Sequence, residues 1–91
     1  MTESPSDAAK AHLFRLALEM DKPIMLDYWK KSVTKDVVIG VRENAEKLLI
    51  KNEDEYTSPI LKIFKVDTDF IIVTENSIYC VCAHIDSKRI S

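Results

Sequence analysis

The stretch that contains Cys80, Cys82 and His84 has the residue types closest to those of a chemical site. These residues alternate along the chain, so on a strand they would share one face, and zinc accepts both thiolate and imidazole ligands. However, alternate side chains on a strand lie ~7 Å apart, too far for one tetrahedral zinc ion with Zn–S bonds of ~2.3 Å. Cysteine also packs well as a small buried hydrophobe. We therefore predict a core strand, with these three residues as a weak metal candidate and no cofactor.

Other catalytic patterns are equally weak. The acidic run at residues 53–55 lacks the alternating oxygen ligands and mid-loop glycine of a calcium loop, which predicts a solvated loop. The sequence has one glycine, Gly40, which argues against a glycine-rich loop that cradles phosphates. It also contains no G-x-S-x-G nucleophile motif. We therefore expect a protein that is not an enzyme.

Length and composition narrow the class of protein. A chain of 91 residues fits a single domain, predicted over residues 1–91. Hydrophobic residues make up 46% and charged residues 31%, which is near the globular average and unlike a disordered or fibrous chain. No apolar run approaches the ~20 residues that span a bilayer, and the first residues are acidic, unlike a signal peptide. Two cysteines are too few for a disulfide framework. We expect a cytoplasmic protein without a membrane partner.

The first part of the chain predicts an amphipathic helix over residues 5–20. Apolar residues recur there at spacings of three and four. Ser4 is the predicted N-cap, Pro5 suits the first helical position, and Asp7 can close a capping box. Pro23 prevents the helix from continuing.

The composition changes after Pro23, where β-branched and aromatic residues predict strands. Their short connections predict antiparallel neighbours, because a parallel crossover needs a dozen or more residues. A short tail is expected at residues 86–91. The apolar runs predict a meander of five or six strands, at residues 24–30, 36–42, 46–51, 60–66, 70–75 and 77–85.

Several of the predicted strands are apolar on both faces, which a flat sheet with one solvated face does not require. We therefore predict an α+β fold in which the N-terminal helix packs on a strongly curved antiparallel sheet, as a small barrel or rolled sheet. Gly40 within a strand indicates a sharp bend or a close backbone approach, as a small curled barrel would need.

These features favour a small non-enzymatic protein-interaction module, such as a regulator or inhibitor that presents a preformed surface. Large amphipathic aromatic residues dominate binding hot spots. We expect Trp29 to be the main anchor for an unidentified partner protein, with Tyr28 and Met25 beside it, unless Trp29 only covers the barrel. Tyr56 is a second candidate, because an aromatic residue in a polar loop has less reason to be in the core.

Binding of nucleic acid is a less favoured alternative. Lys30, Lys31 and Lys35 form a basic cluster beside Tyr28 and Trp29, which could combine phosphate contacts with base stacking. However, the chain has 13 basic against 15 acidic side chains, a net charge of −2, whereas nucleic-acid-binding domains usually carry a basic excess.

The order of elements resembles that of Sm-like, Hfq-type RNA-binding proteins, in which a helix packs over a small SH3-like barrel. Residues 23–66 would supply the corresponding strands, with Gly40 in the bent strand. The resemblance implies an RNA-binding oligomer but identifies no binding residue. A third alternative is a small homodimeric structural protein, whose predicted exposed strand at residues 77–85 pairs with its copy in a second subunit.

Overall fold

The computed structural model describes residues 5–52 and 54–90. This part of the chain contains two helices, α1 (Asp7–Met20) and α2 (Trp29–Val33). Its eight strands are β1 (Ile24–Met25), β2 (Val38–Val41), β3 (Lys47–Asn52), β4 (Glu55–Tyr56), β5 (Ile60–Val66), β6 (Asp69–Thr74), β7 (Ile78–Cys82) and β8 (Asp86–Arg89). The predicted α+β fold with an N-terminal helix is confirmed, but a second helix, α2, interrupts the strands.

The start of α1 is fixed by Ser6. Its hydroxyl accepts a hydrogen bond from the Ala9 amide at 3.2 Å, which satisfies one of the free N–H groups of the first turn. The Ser6 amide in turn donates to Asp69 Oδ2 at 3.0 Å and ties the helix start to β6. The predicted cap, Ser4, lies outside the described residues. The helix ends at Asp21, which has a left-handed backbone with φ of 53°.

The strands form two four-stranded sheets. The first sheet has the order β1-β7-β6-β5, and the second has the order β4-β3-β2-β8. Most pairs are antiparallel, but β1 pairs with β7 in parallel and β8 pairs with β2 in parallel. The predicted all-antiparallel meander is therefore wrong. Neither sheet is closed within the described residues, so the predicted barrel is not confirmed.

The two parallel pairs join strands that are distant in the sequence, so the length of a single loop does not determine their direction. Consecutive strands that are joined by a short loop within one sheet are antiparallel, as predicted. By contrast, β1 pairs with a strand more than fifty residues later in the chain, so the intervening fold serves as its connection. The chain after β7 similarly crosses to the second sheet, where residues 86–89 form a strand instead of the predicted tail.

Three layers bury the apolar side chains. Helix α1 covers one face of the first sheet, where Leu13 and Leu16 pack on Ile71 and Ile78. The opposite face packs on the second sheet, and this layer is a separate cluster. The buried residues of that cluster are Tyr28, Val37, Ile39, Leu49, Ile72, Val81 and Ile85. A second sheet, and not a closed barrel, thus covers the face that the helix leaves open.

The predicted strand at residues 24–30 is only two residues long, and the chain then turns into α2. This short helix lies against β7, where the Ser32 hydroxyl accepts a hydrogen bond from the Cys82 amide at 2.9 Å. The same hydroxyl donates to the Trp29 carbonyl at 2.5 Å. Together β1 and α2 cover the edge of β7, whose other neighbour is β6. The prediction of an exposed strand at residues 77–85 is therefore wrong.

Among the described residues, no helix has the length and apolar character required to cross a membrane.

Candidate functional site

The predicted sulfur and imidazole residues do not converge. Cys80 is fully buried under α1, while Cys82 is half-buried on the same face. His84 is exposed in the turn that follows the end of β7, so it does not continue their alternation. In residues 5–52 and 54–90, no three His, Cys, Asp or Glu side chains form a group that could hold a metal ion.

The Cys80 thiol is also poorly suited to ligation or nucleophilic chemistry. Burial, with smaller contributions from Asp69 and Cys82, raises the pKa of Cys80 to about 12. The reactive form of cysteine is the thiolate, which this environment disfavours at neutral pH. The structure places Cys80 as a packing residue of the helix-covered core.

The predicted aromatic anchors are buried in the core. Trp29 is only 8% exposed and packs in the core beneath α1, and Tyr28 lies between the two sheets. The prediction that they present a partner surface is therefore corrected. Tyr28 contacts the ring of Tyr79 edge to face, with centroids 5.1 Å apart, and burial raises the pKa of Tyr28 to about 12. Trp29 thus belongs to the core between α1 and the first sheet, and Tyr28 belongs to the core between the two sheets.

Trp29 also lines a concavity of about 430 Å³ beside the start of α1, with Cys82 and Asp69. Its indole Nε1 is buried without a hydrogen-bond partner among the described residues. Asp69 is itself buried and is engaged by the Ser6 amide. This concavity is therefore built around the capping of α1.

The predicted basic cluster is separated from the aromatic rings. Lys30 and Lys31 are exposed on α2, and Lys35 follows the helix with φ of 64°. Tyr28 and Trp29 are buried, so neither ring is exposed beside these lysines to stack on a base. Met25 is exposed at 37% on the edge strand β1 of the first sheet, where it pairs with Tyr79 of β7.

Tyr56 is a predicted candidate that is both exposed and part of a concave surface. It is 58% exposed at the edge of the second sheet, opposite Ile50 of β3. The sheet face that turns away from the core forms an open groove there, with a volume of about 450 Å³. We call it the outer groove, and its apolar wall consists of Val38, Leu48, Ile50, Tyr56 and Ile90.

The alternation of the strands creates this groove. Ile39 and Leu49 are paired partners that point into the core. Their neighbours along the chain must point to the opposite face, so Leu48 and Ile50 line the groove. Leu48 is nevertheless only 3% exposed. The groove therefore has a packed apolar floor.

Gly40 provides space for this arrangement. It pairs with Leu48 on one side and Lys88 on the other. A Cβ atom at Gly40 would lie 2.5 Å from Ile50 Cδ1 and 3.0 Å from Ile90 Cδ1. The tips of these two isoleucines thus fold over the glycine, so side chains approach it, whereas a sharp bend or a close approach of backbone was predicted.

Charged side chains surround the apolar wall. Arg42, Lys51, Lys88 and Asp36 line the groove, giving three cations and one anion in a chain of net charge −2. Arg42 Nε lies 3.7 Å from Glu46 Oε1, and Lys51 Nζ lies 3.5 Å from the carboxylate of Glu55.

These two contacts are long for ion pairs and are partly exposed, so their contribution to stability is small. Lys88 forms no ion pair within the part of the chain that the structure describes. Arg42 and Lys88 can therefore engage an incoming carboxylate without breaking a strong internal contact. Lys51 is more constrained, because its side chain is 18% exposed and its ammonium group lies over the Tyr28 ring, 5.4 Å from the centroid.

Sequence reasoning found Tyr56 but missed the surface to which it belongs. The signal was present in β2 and β3, whose apolar residues occupy both faces although only one can face the first sheet. Ile90 was missed because the prediction assigned residues 86–91 to a tail. Only the parallel pairing of β8 with β2 brings Ile90 to the groove, where its amide donates to the Val41 carbonyl at 3.0 Å.

Comparisons of the chain with protein-family models, with curated proteins and with solved structures gave no match.

Proposed function

We propose that the protein is a non-enzymatic interaction module that binds an extended segment of a partner protein in the outer groove. The observation that supports this function is a packed apolar wall, open to solvent and surrounded mainly by cations, on a sheet face that no other layer covers in the described structure. Contiguous exposed apolar surface with a polar rim is typical of protein-interaction sites.

The form of the groove favours a polypeptide over a small metabolite. Small-molecule sites are usually clefts that bury most of the ligand. The outer groove is open to solvent and lies on strands, so it would leave part of a small ligand in water. An extended segment can instead place alternate side chains against Ile50 and Tyr56 while its other side stays solvated.

The charges at the rim favour an acidic segment. Among the residues that line the groove, Arg42, Lys51 and Lys88 outnumber Asp36, and Lys88 is the cation that forms no ion pair within the described part of the chain. Electrostatic complementarity contributes mostly to specificity and association rate. The expected ligand is thus a large apolar residue flanked by Asp or Glu. A rigid surface that sequesters such a segment suits a regulator or inhibitor.

Selection from a library of displayed random peptides tests this function, since it presumes no particular partner. The wild-type protein should enrich peptides in which an apolar residue is flanked by carboxylates. The enriched peptides should bind at least about tenfold more weakly to Tyr56→Ala, because truncation of a central aromatic contact costs ~1–2 kcal/mol or more. Lys88→Glu should weaken binding as well, more strongly at low ionic strength.

Leu61→Ala is the matched control. Leu61 is 58% exposed, the same fraction as Tyr56, but lies on β5 of the first sheet. The variant should bind the selected peptides as the wild type does. Failure to enrich acidic apolar peptides, or equal binding by the wild type and Tyr56→Ala, would contradict the proposed function.

A further inference from the structure

The free edge of the second sheet carries a charge pattern that is complementary to itself. Strand β8 pairs with β2 on one side, and all four of its residues, Asp86 to Arg89, are exposed. No other described strand pairs with its opposite side. Edge charges usually deter such a strand from pairing with another chain. Here the charges change sign across Ser87, so their effect depends on the register of the incoming strand.

The backbone of β8 defines which groups are available. The Ile90 amide donates to Val41 of β2, and along a strand the N–H and C=O groups alternate between the two sides. Lys88 and Ile90 therefore direct these groups toward β2. Ser87 and Arg89 direct theirs toward solvent, where they form an unpaired donor and acceptor row.

We infer that β8 pairs antiparallel with β8 of a second copy of the chain, with Ser87 at the two-fold axis. Both Ser87 residues then exchange N–H to C=O hydrogen bonds, which uses the groups that face the free edge. Asp86 stands directly opposite Lys88 of the second copy, and this contact occurs twice because of the symmetry.

The geometry of that pair favours an ion pair. Asp86 and Lys88 both lie on the outer face of the second sheet, as do their β2 partners Val38 and Gly40. Positions next to a hydrogen-bonded pair are non-hydrogen-bonded, and there the opposing side chains are closest, with Cα atoms ~4.5 Å apart.

The neighbouring symmetric registers are unfavourable. Moving the axis by one residue places Lys88 opposite Lys88, or Asp86 opposite Asp86, and like charges directly opposite destabilise a strand pair. The charges therefore select both the partner, a second copy, and the register. The resulting sheet has eight strands and places two outer grooves on one face. This inference does not depend on what the grooves bind.

Sedimentation velocity over a series of protein concentrations at low salt tests the inference. Because one short strand pairs, we expect a weak dimer that forms reversibly as the concentration rises. Asp86→Lys and Lys88→Asp should each weaken dimerisation by about tenfold or more, since each reversal replaces two attractive pairs by two repulsive ones. The double variant Asp86→Lys with Lys88→Asp should dimerise again.

Mixing the two single variants gives the sharpest result. One variant then carries only cations at positions 86 and 88 and the other only anions, so the mixture should form a heterodimer although neither variant self-associates. Lys65→Asp is the control, because it makes the same charge change on an exposed residue of β5 in the first sheet. It should dimerise as the wild type does. In hydrogen exchange, the Ser87 and Arg89 amides should become protected as the concentration rises.

A wild-type protein that remains monomeric at every concentration overturns the inference. So does a dimer that the single reversals leave intact, or a mixture of the two reversed variants that does not associate. Loss of the dimer in Lys65→Asp would place the interface on β5 instead. Circular dichroism of each variant checks that the exposed substitutions leave the fold unchanged.

Discussion

The two sheets of this protein are built from similar apolar strands but end in different environments. The first sheet is covered by α1 on one face and by the second sheet on the other, so Ile71 and Ile72, adjacent in β6, are both fully buried. The second sheet has the same two-sided character in β2 and β3, yet only its inner face is covered. A two-sided apolar strand thus forms a central layer in the first sheet and an uncovered apolar face in the second.

The edges of the sheets differ in the same way. At β7 of the first sheet, the strand β1 and the Ser32 hydroxyl occupy the groups that would otherwise pair with another chain. At β8 of the second sheet, the backbone groups of Ser87 and Arg89 face solvent. The edge of β7 is therefore covered, whereas β8 of the second sheet, like β5 of the first, keeps one side without a neighbour among the described strands.

The largest expected effect is on stability and is confined to the doubly covered sheet. Ile71→Ala should lower the free energy of unfolding by about 2–5 kcal/mol, because it leaves a cavity between α1 and the first sheet. Tyr56→Ala on the open sheet face should change it by less than about 0.5 kcal/mol. Urea denaturation monitored by circular dichroism measures the free energy of unfolding of both variants. Similar losses of stability in the two variants would contradict the difference between the doubly covered sheet and the open sheet face.

Substitution of Gly40 should affect the outer groove more than the core. In Gly40→Val the added atoms must displace the tips of Ile50 and Ile90, at a cost of about 1–3 kcal/mol, and should weaken peptide binding. Gly40→Ala requires a smaller shift of the same flexible tips, so its cost should stay below about 1 kcal/mol. If Gly40→Val keeps both wild-type stability and peptide affinity, the tips do not form the groove.

Ser32→Ala should weaken the protected edge of β7. The variant removes the acceptor of the partly buried Cys82 amide and should cost about 1–3 kcal/mol. Exchange of the Cys82 amide hydrogen should accelerate, whereas the Ser87 amide of β8 should be unaffected in dilute protein. A Cys82 amide that exchanges at the wild-type rate would show that α2 does not protect this edge.

Alkaline pH should destabilise the core without affecting stability near neutrality. Burial raises the pKa of Cys80 from 9.0 to about 12 and the pKa of Tyr28 from 10.0 to about 12. The unfolded chain therefore releases these protons before the folded chain does, and stability is lost progressively as the pH rises from about 9 to about 12. Thermal unfolding at a series of pH values should show this loss, and Tyr28→Phe should reduce its slope. A slope unchanged by Tyr28→Phe would exclude this tyrosine as a source.

Local signals in the sequence predicted some elements and not others. The periodicity of Leu13 and Leu16 predicted α1, and the run at Ile60–Val66 predicted β5, because both depend on near neighbours in the chain. The strand predicted at residues 24–30 is only Ile24–Met25 followed by a helix, because tertiary packing of Trp29 overrides its preference for strands.

The candidate site was predicted only in part, because contacts between residues distant in the sequence bring it together. Tyr56 could be recognised because an aromatic side chain stood in a polar segment. The groove around it requires the parallel pairing of β8 with β2, which joins residues nearly fifty positions apart and leaves no periodic pattern in the sequence. Trp29 could not be assigned to core or surface from the sequence, since an aromatic residue suits both environments.

The central claim is that the uncovered face of the second sheet is the partner-binding surface. An NMR titration of isotope-labelled protein with a peptide from the library selection tests it most directly, because α1 offers a competing surface in Phe14 and Leu18, 61% and 85% exposed. We predict shifts of the amide signals of Val38, Ile50 and Tyr56, with those of α1 unchanged. Shifts concentrated at Phe14 and Leu18 would contradict the account.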